Sequence, residues 1–118
     1  MRGDRNIDIL MHIRDYCREI GHTMDTFGRD YDIFNSNSIY QNATALCVLQ
    51  IGELTTHFTD EFKMTYNKVP WNQMKALRNI VAHNYGKIDK EILWETLTSD
   101  IPDLEQYCCN IIAGQENR

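Results

Sequence analysis

Arg78, Asn79, His83 and Tyr85 fall within one eight-residue stretch, RNIVAHNY, at positions 78–85. An imidazole with a pKa near neutrality can take the proton from a ribose 2′-OH or give one to a leaving 5′-oxygen. A guanidinium can hold non-bridging phosphate oxygens with paired donors and stabilise the charge of a transition state. Asn79 can orient the imidazole or bond a base. Tyr85 can bond phosphate, stack on a base, or present its hydroxyl for modification. Together these groups suit RNA cleavage without a metal. They equally suit the last turn of an ordinary helix, with arginine and histidine as surface or capping groups, and spacing alone leaves both readings open.

The element that must carry these residues is a helix over 70–85. Pro70 fits a first turn, where its missing N–H costs nothing. Trp71, Met74, Leu77, Ile80, Val81 and Tyr85 supply an apolar side, and Gly86 is a natural residue just past the end. On that helix Asn79 and His83 share a face. Arg78 and His83 lie about 140° apart around the axis. They meet only through the reach of the arginine or across a dimer axis, where each motif faces its copy. A helix C-terminus favours the charged imidazole, which suits His83 to the acid role. With one histidine per motif, a second chain is the natural source of the other proton-transfer group.

Charge is distributed unevenly along the 118 residues. The net charge of −5 disfavours a nucleic-acid binder when taken alone. Yet residues 63–90 carry Lys63, Lys68, Lys75, Arg78, Lys87 and Lys90 against Asp89 alone, while the segments on either side are acidic. This basic segment is either a solvated face or a patch that attracts phosphate. In the second case Lys75, Lys87 and Lys90 are candidate RNA contacts.

The rest of the chain reads as helices. In residues 5–27, Ile9, Leu10, Ile13, Tyr16, Cys17, Ile20, Met24 and Phe27 recur at helical spacing, and Gly28 is a plausible stop. Residues 29–38 read as a loop, with Asn37 or Ser38 able to cap the next helix. Over 39–60, Ile39, Ala43, Leu46, Cys47, Gln50, Ile51, Leu54 and Phe58 form one expected core stripe. Glu53, His57 and Glu61 lie at i, i+4 and i+8 beside it, as a solvent-facing ladder or, for Glu53, as the wall of a polar pocket. Residues 61–69 hold a short amphipathic piece and a turn. A last helical pattern runs over 89–113 through Ile92, Leu93, Leu97, Ile101, Leu104, Cys108, Ile111 and Ile112, with Asp89 as its candidate cap and a break expected at Pro102. The fold class is all-α: an antiparallel bundle of four to five helices forming a single domain over residues 1–118.

Cys17, Cys47, Cys108 and Cys109 read as free buried thiols of a reducing compartment, and no cysteine and histidine pair has zinc-site spacing. Neither a metal nor another cofactor is expected. No apolar run is long enough for a membrane span and no signal-like segment opens the chain, so the expected location is the cytoplasm.

Three blocks carry a resemblance: LQIGEL at 49–54, VPWNQMKALRNIVAHNYG at 69–86, and DKEILWETLTSDIPDL at 89–104. With them the chain resembles the HepT-like toxins (DUF86) of the HEPN superfamily across roughly residues 5–112. The middle block holds the superfamily's arginine, spacer and histidine, extended here to Arg78, four residues, His83, one residue, Tyr85. The resemblance implies a homodimeric, metal-independent endoribonuclease with the motif between protomers, the toxin of a type VII toxin–antitoxin system. Its expected partner is an MntA-like nucleotidyltransferase antitoxin that silences it by attaching AMP to the motif tyrosine. By that analogy Arg78 and His83 are catalytic, Asn79 and Glu53 support them, with Glu53 facing Arg78, and Tyr85 is the modification site. The alternatives are a non-catalytic nucleotide-binding or accessory partner of a nucleotidyltransferase, and a purely structural helical dimer.

Overall fold

A computed structural model of the chain describes residues 3–69, 71, 74 and 89–116. All regular structure among them is helical: α1 (Gly3–Phe27), α2 (Tyr31–Asn35), α3 (Ser38–Thr55), α4 (Asp60–Thr65), α5 (Lys90–Glu95) and α6 (Ile101–Glu116), with a π-helical turn at Thr96–Asp100. The fold is an all-α helical bundle. The expected helix over 70–85 and its stop at Gly86 lie outside the described residues, apart from Trp71 and Met74, which are both helical and buried.

α1 is the spine of the bundle, and α3 and α6 both pack along it. It runs antiparallel to α3. At one end Asn6 bonds Thr59, just beyond α3, in both directions, with Asn6 Nδ2 donating at 3.4 Å and Thr59 N–H donating at 3.3 Å. At the other end the Tyr40 hydroxyl, near the start of α3, donates to the Gly28 carbonyl just past α1 at 3.0 Å. The expected stop is real. Gly28 has φ +117°, and its N–H closes the helix on Met24 O at 2.8 Å. A side chain there would be strained at that φ, and its Cβ would also stand 2.9 Å from Ile33 Cδ1.

Three readings of the sequence need correction. The loop at 29–38 contains α2, which Asp30 caps by accepting from the Asp32 and Ile33 backbones. This five-residue helix exists to bury Phe34, which packs edge-on to Tyr40 at 5.0 Å and against Trp94 at 5.1 Å. A single buried aromatic in a short polar stretch has no period to detect. Second, the helix expected over 39–60 ends at Thr55, where the Thr56 N–H and hydroxyl both turn back to Glu53 O. Thr59 then caps α4. Glu53, His57 and Glu61 therefore do not form a ladder, because a turn separates them.

The third correction concerns which side of α3 faces the core. The buried residues are Tyr40, Thr44, Ala45, Cys47, Val48, Ile51, Gly52 and Thr55. Ile39 and Leu46, assigned to the core stripe from the sequence, are 68% and 51% exposed, and Ala43 is exposed as well. The inner face hides hydroxyls by bonding them to its own backbone: Thr44 Oγ1 donates to Tyr40 O at 2.9 Å and Thr55 Oγ1 to Gly52 O at 2.7 Å. Both faces mix apolar and uncharged polar residues, so the residue types alone do not separate the inner face from the outer one.

The last helical segment follows the sequence closely. Asp89 caps α5 by accepting from Glu91 N at 3.0 Å and Ile92 N at 3.1 Å. Leu93, Leu97, Ile101, Leu104, Cys108, Ile111 and Ile112 are buried, whereas Ile92 is exposed. The break expected at Pro102 takes the form of the π turn. Pro102 has no N–H to give and its ring crowds the carbonyl four residues back. The widened turn shifts the register by one residue, and Ile101 N–H bonds Thr96 O.

Candidate functional site

Two anchors bracket the segment that carries the motif. Before it, Trp71 packs on Phe58 with ring centres 4.8 Å apart and donates its indole N–H to Tyr66 O at 3.1 Å. Phe58 and Phe62 stack at 4.6 Å beneath it, and Val69 and Met74 are buried beside them. An indole held by apolar contact on its body and a hydrogen bond at its tip has one well-defined orientation. After the motif, the Asp89 cap starts α5 and Trp94 enters the second aromatic group with Tyr31, Phe34 and Tyr40. The chain enters and leaves the motif segment at fixed points of the bundle.

Of the site residues read from the sequence, Glu53 and Lys90 are described. Glu53 stands exposed in the last turn of α3, just before the turn that leads to Phe58 and the Trp71 anchor. Lys90 is the first residue of α5 and is exposed. Arg78, Asn79, His83, Tyr85, Lys75 and Lys87 lie outside the described residues.

The described surroundings of opposite charge are informative. A cavity of about 250 Å³ lies between the start of the motif block and α6, lined by Lys68, Met74, Asp100, Asp103, Leu104 and Tyr107. Burial raises the Asp100 carboxyl above its ordinary range, and the neighbouring charges of Glu95 and Asp103 add to the rise. Carboxylates repel phosphate, so this wall is a poor surface for RNA. It was legible only as spacing, since Asp100, Asp103 and Tyr107 fall three and four apart. Of the described basic residues of the 63–90 segment, Lys68 lines this cavity opposite the carboxyls, whereas Lys63 lies in α4 and Lys90 in α5.

The cysteines are free, with Cys17, Cys47 and Cys108 buried and Cys109 partly exposed. Burial pushes Cys47 and Cys108 up to about 12, with Glu19 adding to the first and Cys109 to the second. Burial raises Cys17 too. Such thiols stay protonated and behave as small apolar groups rather than nucleophiles. Among the described residues no group of three or more histidine, cysteine or acidic side chains is arranged to hold a metal ion. No described helix is long and apolar enough to cross a membrane.

The described residues form an all-α bundle. Residues 9–111 match the model of the family described as ribonuclease HepT-like, and the chain belongs to that family. A presumed RNase of Methanocaldococcus jannaschii is 32% identical over 77 residues, covering 65% of this chain and 71% of the relative. A presumed RNase of Caldanaerobacter subterraneus subsp. tengcongensis is 28% identical over 107 residues, covering 91% and 94%. The probable ribonuclease HepT of Thermococcus cleftensis is 28% identical over 97 residues, covering 78% and 88%. No solved structure is a significant match.

Proposed function

We propose that this chain is a metal-independent endoribonuclease acting in the cytoplasm as the toxin of a type VII toxin–antitoxin pair. One observation carries the reading. Arg78, His83 and Tyr85 stand in the order arginine, four residues, histidine, one residue, tyrosine, inside the 9–111 stretch matched to the ribonuclease HepT-like family. The names of its relatives support RNA as the substrate class.

In this mechanism Arg78 grips the scissile phosphate and stabilises its developing charge. His83 protonates the leaving 5′-oxygen while the 2′-OH attacks phosphorus, which leaves a 2′,3′-cyclic phosphate. The proton of the 2′-OH passes to a group from the second chain of a homodimer. Asn79 and Glu53 orient this pair, and Lys75, Lys87 and Lys90 hold the RNA backbone. An MntA-like nucleotidyltransferase switches the enzyme off by transferring AMP from ATP to the Tyr85 hydroxyl, with pyrophosphate leaving from the α-phosphorus and the hydroxyl proton lost. The bulky nucleotide then sits beside Arg78 and its phosphodiester occupies the guanidinium.

The test is cleavage of single-stranded RNA by wild type and His83→Ala, with and without a chelator. We expect cyclic-phosphate ends, no effect of chelation, and a loss of about 10²–10⁴-fold in His83→Ala. Cleavage that stops on chelation, or that survives in His83→Ala, overturns the mechanism. RNA binding with no cleavage above the His83→Ala background favours the accessory-partner reading instead. Intact mass after co-expression with the nucleotidyltransferase should show an AMP increment that is absent in Tyr85→Phe.

A further inference from the structure

A groove of about 460 Å³ lies where α2 meets α5, lined by Tyr31, Glu91, Trp94, Glu95 and Thr98. Residues 91, 94, 95 and 98 have the spacing of one helix face. Tyr31 and Trp94 meet edge to face with ring centres 6.1 Å apart, and both stay partly exposed. Phe34 at 5.1 Å and Tyr40 at 6.2 Å hold the indole from the core side. The two glutamates are exposed, and neither has a basic partner among the described residues. Like charges one turn apart destabilise a helix, and α5 is only six residues long. Burial raises the Tyr31 hydroxyl above its ordinary range, and the charges of Glu91, Asp89 and Asp32 add to the rise. With Glu95, these carboxylates surround the two rings. The Trp71 indole N–H is bonded to Tyr66 O, whereas that of Trp94 has no acceptor among the described residues.

We infer that this groove docks a basic segment of another protein, which lays an arginine side chain over the Tyr31 and Trp94 rings and between Glu91 and Glu95. Chemistry selects that side chain. An aromatic face attracts a cation through its quadrupole, and a planar guanidinium stacks on the ring while its fork of donors pairs with carboxylates. A lysine ammonium is a strongly hydrated point charge and lacks that fork. Charge excludes RNA, since residues 89–105 carry six acidic groups against Lys90 alone and carboxylates repel phosphate. The same field draws a basic segment in. A free small cation is held less well, because a groove rimmed by exposed Glu91, Glu95 and Thr98 leaves much of such a ligand in water. A chain segment adds contacts on either side of its arginine, and its backbone carbonyls are acceptors for the Trp94 indole N–H. None of the five lining residues belongs to RNIVAHNY, so docking here is independent of the ribonuclease reading.

The two tryptophans give two indole N–H signals in the isotope-labelled full chain, and these report on the groove directly. The probe is a short end-blocked peptide of glycine and serine with one central arginine. Its titration should shift the Trp94 signal and leave that of Trp71 in place, with half-saturation at about 1 mM. The same peptide with citrulline, which keeps the shape and loses the charge, should bind at least about 10-fold more weakly. Glu91→Gln and Glu95→Gln together should weaken the arginine peptide at least about 10-fold with unchanged helical circular dichroism. Glu95→Gln alone serves should the pair disturb α5. A Trp94 signal unmoved at about 10 mM peptide, equal binding of the citrulline peptide, or undiminished binding by the folded glutamine variants overturns the docking site. Arginine amide binding as tightly as the peptide overturns it in favour of a small-cation site. A Trp94 shift produced by single-stranded RNA overturns it in favour of a nucleic-acid surface.

Discussion

α1 and α3 pack against each other along their length, yet they turn very different surfaces outward. α1 exposes Asp8, Asp15, Arg18 and Glu19, and Arg18 meets Glu105 of α6 at 3.6 Å. α3 turns out Ile39, Ala43 and Leu46 and keeps its one charge for the last turn. The first helix packs against both α3 and α6 and gives its remaining surface to charge; the second leaves isoleucine, alanine and leucine on the surface it does not pack. Threonine hydroxyls close on their own helix's carbonyls in both, but α1 keeps Thr23 and Thr26 outside the core whereas α3 buries Thr44 and Thr55.

The sharpest way to break this comparison is to truncate one isoleucine from each helix. Ile13→Ala on the inner face of α1 should cost about 2–5 kcal/mol, because it opens a cavity in a close-packed core. Ile39→Ala should cost under about 0.5 kcal/mol when urea unfolding is followed at concentrations low enough to hold single chains. A comparable loss at both sites would mean that α3 is as covered within one chain as α1 is.

The thiols give a second, intermediate effect. Cys47 and Cys108 stay protonated to about 12 in the folded chain, against 9.0 when unfolded. Between those limits the unfolded state binds fewer protons, so stability should fall as pH rises from about 9 towards 12. Urea midpoints across that range measure it, and Cys47→Ala should flatten the fall. Near neutral pH an alkylating agent should label Cys109 first, with Cys47 on the inner face of α3 labelled only on unfolding. Fast labelling of Cys47 in the native chain would show that face to be open.

A further effect, below that of Ile13→Ala, concerns how α3 begins. The Asn37 side chain accepts from Ile39 N at 3.0 Å and Tyr40 N at 3.1 Å, satisfying two amides of the first turn. Asn37→Ala should cost about 0.5–2 kcal/mol by thermal unfolding. An effect much below that would assign the start of α3 to the Tyr40 contacts rather than to its cap.

Much of this fold is legible in residue order. The positions of Gly28, Asn37 and Asp89 identify where helices stop and start, because a positive φ or a side-chain cap is a local property of the chain. The apolar period of α1 and of the last helical segment identifies their core faces, because charged residues fill the other positions. The motif RNIVAHNY and the family to which it belongs are equally plain in sequence, since they depend on residue identity and order.

Tertiary structure decided the rest. α2 forms because Phe34 finds Tyr40 and Trp94, which lie six and sixty residues away in sequence. The core side of α3 is set by contact with α1 and not by its own period, since a helix without charge on either side gives periodicity nothing to distinguish. Pro102 announces a break, and the structure resolves it as a π turn over Thr96–Asp100 that keeps Leu97, Ile101 and Leu104 buried. Sequence alone determined the class of fold and the order of the motif residues; long-range burial determined which side of each described helix faces the core and which faces solvent.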